Sequence, residues 1–118
     1  MKSLNKLKRL IMEVTSIYIP INEMSKIGVF DQYTVIIESL DHNPPHFHVK
    51  LSNKTVTRLE IPKDYPQRTY DLVYLKNQTR LSSQVEKALI LWMTQPDKNA
   101  PKYTNLESLQ IEWNRLHS

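Results

Sequence analysis

The chain has 118 residues, 24% charged and 40% hydrophobic, with a formal net charge of +4, one glycine and no cysteine. That length fits one domain around a single core, and the missing thiols exclude disulfides, thiol catalysis and thiolate zinc frameworks. A lone glycine, Gly28, excludes phosphate-cradling glycine loops and the GxSxG elbow, which need glycine at several fixed offsets.

In chain order, Leu4, Leu7, Ile11 and Val14 recur on one stripe, with Lys2, Lys6 and Arg9 on another face, which predicts an amphipathic helix over residues 3–14. Ser16–Ile21 is expected to be extended, with Pro20 barring an interior strand. Residues 1–23 read as an N-terminal helical extension and residues 24–118 as a single α+β domain. Lys26–Phe30 and Tyr33–Glu38 predict two strands turning at Asp31-Gln32, the second rich in β-branched residues. A strand over His46–Leu51, a turn at Ser52-Asn53-Lys54 and a strand over Thr55–Ile61 follow. Thr69–Lys76 predicts a further strand, with a helical turn as the alternative. Ser83-x-x-Glu86 has the form of a capping box, and Val85, Ala88, Leu89, Trp92 and Met93 then keep helical spacing up to Pro96. Gln95–Lys102 is a polar loop. Thr104-x-x-Glu107 is a second capping box, before a stripe of Leu106, Leu109, Trp113 and Leu116. Trp92 and Trp113 are expected as core anchors. The expected fold is a mainly antiparallel sheet of four to five strands, with the N-terminal helix and two C-terminal helices packed on it.

No run approaches the ~20 apolar residues of a membrane span, and no long apolar stretch follows the basic N-terminus. A cytoplasmic location without membrane association is therefore expected. The positive charge permits an acidic protein or nucleic-acid partner.

The chemistry concentrates in Asp41–Val49, DHNPPHFHV, which holds three of the four histidines: His42, His46 and His48. On a strand, His46 and His48 share one face roughly 7 Å apart, and Phe47 points the other way. Pro44 and Pro45 fix φ and stiffen the chain just before the pair. Two imidazoles on one face can ligate a divalent metal or grip a phosphate. The candidate binding residues are Asp41, His42, Pro44, Pro45, His46 and His48. The candidate metal ligands are His46 and His48 with a carboxylate, either Asp41 or Glu60, forming an open site. The competing reading is a structural corner whose histidines hydrogen-bond the backbone. The pair is expected on the open side of the sheet or at its edge.

This segment resembles the signature of a small bacterial domain family of unknown function defined by a DHxPPHxHV stretch. Met24, Ile27 and Phe30 fit the family's Met-x-x-Ile-x-x-Phe opening, and Trp92 and Trp113 fit its two closing helices. The resemblance spans about Met24 to His117; the Gln95–Lys102 loop is longer than the family pattern, and a glycine near the second hairpin is missing. It implies a bacterial, cytoplasmic module, toxin–antitoxin-like or mobile-element associated. Such a module would bind a cognate small protein, with nucleic acid or self-association as further partners, and no established reaction comes with it.

The alternative is a metal-dependent nuclease. His46-Phe47-His48 matches the His-hydrophobic-His core of HUH endonucleases, in which a tyrosine attacks a DNA phosphate; Tyr65, Tyr70, Tyr74 and Tyr103 are the candidate nucleophiles. A cupin site would need spaced glycines beside Glu60, and a histidine-triad hydrolase would need histidine where Lys50 stands.

Overall fold

The computed structural model describes residues 21–118. The helix predicted over residues 3–14 and the stretch after it, Ile21 apart, lie outside the described residues. Four strands, β1 (Met24–Phe30), β2 (Tyr33–Glu38), β3 (His46–Leu51) and β4 (Lys54–Glu60), form an antiparallel sheet in the order β1-β2-β3-β4. Two helices follow, α1 (Ser83–Thr94) and α2 (Asn105–His117). The class is therefore α+β.

The tight hairpins form without glycine. Asp31 at φ 53° and Ser52 at φ 56° occupy the left-handed region instead, which short polar side chains tolerate better than bulky ones. Register then sorts the side chains. Gly28 stands against Val35, Val35 against Val49, Val49 against Thr57, and Phe47 against Leu59. This face meets Leu89, Trp92, Met93, Leu106 and Leu109 of the helices in one core. Each fully buried side chain of this size contributes about 1.5–3 kcal/mol. The opposite face carries Ile36, His48 and Arg58 in one row, with His46 against Glu60 in the next.

Two local expectations are corrected. Thr69–Lys76 is not a strand: Thr69–Asp71 is a 3-10 turn. The Asp71 carboxylate accepts the Gln67 and Arg68 N–H groups, each at 3.0 Å, and curls the chain there. Only the end of the segment runs along β4, where Glu60 N–H reaches the Val73 carbonyl and Leu75 N–H the Arg58 carbonyl. At α1 the cap is Ser82, not Ser83; its hydroxyl accepts the Val85 N–H. Glu86 does not reach back to a cap. It is buried, and accepts from the Tyr74 hydroxyl at 2.7 Å and Arg80 Nε at 3.0 Å. The Thr104–Glu107 capping box at α2 forms as expected. Trp92 and Trp113 are both core residues.

Candidate metal centre

The loop between β2 and β3 is held at both ends. Ser39 N–H donates to the Glu23 carbonyl at 2.8 Å, Glu23 N–H to Ser39 Oγ at 2.7 Å, and Asp41 N–H to the Glu38 carbonyl at 3.2 Å. At the other end Ile61 N–H donates to the Pro45 carbonyl at 2.9 Å. The proline corner thus delivers β3 from a fixed start.

His46 Nδ1 lies 2.8 Å from the Pro44 carbonyl oxygen. A carbonyl only accepts, so Nδ1 carries a proton, and in the neutral ring Nε2 is left as a lone pair. That Nε2 is buried and has no hydrogen-bond partner among the described residues. It faces Asp41 Oδ2 at 3.4 Å. A lone pair opposed to a carboxylate is repulsive unless a cation lies between them, either a shared proton or a metal ion. His48 Nε2 reaches the same Asp41 oxygen at 2.9 Å, and its Nδ1 lies 3.3 Å from Thr55 Oγ1. A hydroxyl can donate or accept, so His48 can adopt whichever tautomer its Nε2 requires. The two imidazole centroids are 5.5 Å apart. One ligand atom from each of Asp41, His46 and His48 lies within 4.8 Å of the others, a group that could hold a metal ion. Both Nδ1 atoms are tied to oxygens, the outer-shell arrangement that orients ligating histidines.

The strand pairing of His46 and His48 is as expected, but the expected exposure is not: they are 3% and 7% exposed. One covering group is Trp113, whose ring centroid is 5.6 Å from that of His46. His42 is exposed and lines a shallow cleft with Ser39, Asp41, Asn43, Asn114 and His117, outside the ligand group. Pro44 and Pro45 act through their carbonyls. Glu60 stands opposite His46 in the register but is not in the ligand group, so the carboxylate is Asp41.

Two neighbours were not singled out in the sequence. Glu38 Oε2 lies 3.9 Å from His48 Nε2; its signal was the alternation that sets Glu38 on the same face as Ile36, which pairs with His48. His117 stacks on Trp113 with centroids 3.6 Å apart, and its Nε2 lies 3.1 Å from the Asp41 carbonyl oxygen. No local pattern marks His117, because its partner is 76 residues away.

The tyrosines make other contacts. Tyr65 bonds Thr104, Tyr70 bonds Arg68, Tyr74 bonds Glu86, and Tyr103 lies under the Lys102 ammonium. Burial, and then its hydrogen bond to the Glu86 carboxylate, push the Tyr74 hydroxyl up to about 12. Comparison with family models, curated proteins and solved structures gives no match, so the family resemblance rests on the sequence pattern alone. Among the described residues no helix is long and apolar enough to cross a membrane.

Proposed function

We propose that this chain is a divalent-metal-binding module with His46 Nε2, His48 Nε2 and a carboxylate oxygen of Asp41 as ligands. The observation that carries this reading is the orphaned His46 Nε2, locked by the Pro44 carbonyl into the tautomer that can ligate and aimed at a carboxylate. Imidazole and carboxylate ligands suit zinc and its first-row neighbours better than calcium or magnesium, which prefer all-oxygen sites. In its biological role the chain is a small bacterial cytoplasmic interaction module, toxin–antitoxin-like or mobile-element associated. It would bind a cognate small protein, with nucleic acid as a further partner. Its size, its +4 charge and the DHNPPHFHV resemblance support that role. The metal site would fix the loop between β2 and β3 for presentation.

Elemental analysis of the purified protein tests the metal. One equivalent is expected in the wild type and none in His46→Ala or His48→Ala. A wild type that carries no metal and takes none up on titration with zinc, manganese or iron(II) defeats the reading. Retention of a neighbouring gene product on purification tests the partner.

The second reading is a metal-dependent nuclease of the HUH type, favoured by two strand histidines converging on one carboxylate. Tyr74 is a poor nucleophile there, because its hydroxyl is pushed up to about 12 and hydrogen-bonded to Glu86. Single-stranded DNA and manganese would yield a nick or a tyrosyl adduct if this reading holds.

A further inference from the structure

We propose that Glu38 is the fourth protein ligand of this centre, which makes it a closed tetrahedral zinc site rather than an open catalytic one; this rests on the metal-binding reading above.

Geometry gives the first support. Ligand atoms about 2.0–2.1 Å from zinc at tetrahedral angles lie about 3.3 Å from one another. Here His48 Nε2 to Asp41 Oδ2 is 2.9 Å, His46 Nε2 to Asp41 Oδ2 is 3.4 Å, and His48 Nε2 to Glu38 Oε2 is 3.9 Å. These three edges straddle the tetrahedral value. Glu38 stands outside the group whose ligand atoms all lie within 4.8 Å of one another, so its carboxylate has to turn from His48 toward Asp41 and His46 to close the shell. Glu38 ends β2, and continuing the Ile36–His48 register by two residues sets it against His46. Its backbone carbonyl also accepts the Asp41 N–H, so Glu38 and Asp41 are fixed relative to each other by the same turn.

Charge gives the second support. A dication held by two neutral imidazoles and Asp41 alone leaves one positive charge uncompensated. The side chains around it are 4%, 9% and 12% exposed for His46, His48 and Asp41. An uncompensated charge at that depth is costly. The Glu38 carboxylate, itself 25% exposed, brings the centre to neutrality. Two carboxylates here take the part that thiolates take in cysteine-bearing structural sites, so a chain without cysteine can still close its coordination shell.

The test is zinc titration of the wild type, Glu38→Gln and His48→Ala, followed by visible spectra of the cobalt(II) forms with and without azide. Circular dichroism checks that Glu38→Gln, which is isosteric, remains folded. If Glu38 ligates, Glu38→Gln loses more than the about 10–100-fold that removal of an outer-shell partner costs, and approaches the loss in His48→Ala. The wild-type cobalt form then shows an intense tetrahedral band that azide does not move, and the Glu38→Gln form shows a band that azide shifts. A loss below about 100-fold with an unchanged cobalt spectrum overturns the proposal, as does a wild-type band that azide moves, because either leaves Glu38 outside the shell. A wild type that binds no zinc at all defeats the underlying metal reading instead.

Discussion

At His46 a main-chain carbonyl takes the place that an outer-shell carboxylate often holds beside a metal ligand. The Pro44 oxygen fixes the ring proton on Nδ1, so no side chain has to be spent on orienting the ring. Tyr74 shows the opposite use of a buried polar group, since its hydroxyl donates to Glu86 and accepts from the Leu81 N–H. Folding raises Tyr74 from 10.0 to about 12, so its contribution to stability is complete below pH 10 and is lost as pH rises toward 12. An ultraviolet phenolate titration is expected to show a step near pH 12, and Tyr74→Phe should abolish it. A late step that survives in Tyr74→Phe would contradict the buried pairing. Among the site residues, Asp41, His46 and His48 were legible because they sit within eight positions of one another around a proline pair. Glu38 was not, because its place depends on how β2 pairs with β3, and register is a property of two strands rather than of one stretch.

At the scale of elements, the lone glycine has a packing reason. A Cβ built on Gly28 would stand 2.8 Å from Trp92 Cζ2 and 3.2 Å from Nε1. Gly28 therefore sets how closely α1 can lie on β1, with the Trp92 ring also 6.0 Å from that of Phe30. Gly28→Ala is expected to destabilise by about 1–3 kcal/mol, the usual cost of overpacking a filled core. Denaturant melts should show a lower midpoint at an unchanged slope, and the penalty should shrink in a Trp92→Leu background, as a double-mutant cycle would register. An equal penalty in both backgrounds would mean that the indole is not what the methyl meets. The strands were legible because alternation and β-branching survive in any fold that buries one face. The misreadings came where a side chain chose a tertiary partner over a local one. Glu86 leaves the expected capping box for Tyr74 and Arg80, and Asp71 turns the chain at Thr69 where β-propensity alone favoured a strand.

Over the whole molecule, the block pattern of strands followed by helices sufficed for the α+β class, whereas the burial of the histidines could not be read from it. The centre draws on separate parts of the chain: the loop after β2, the start of β3 and, through His117 on the Asp41 carbonyl, the end of α2. These groups lose their mutual positions on unfolding, so a metal held there would bind the native state in preference and its binding free energy would become folding free energy. At free zinc about 100 times the dissociation constant, the stabilisation is about 2.7 kcal/mol, which for a domain of this size raises Tm by on the order of 10 °C. Thermal melts with zinc and with a chelator are expected to differ for the wild type and to coincide for His46→Ala. An equal zinc increment in that variant would move the binding away from Asp41, His46 and His48 and leave the orphaned nitrogen satisfied by a proton instead.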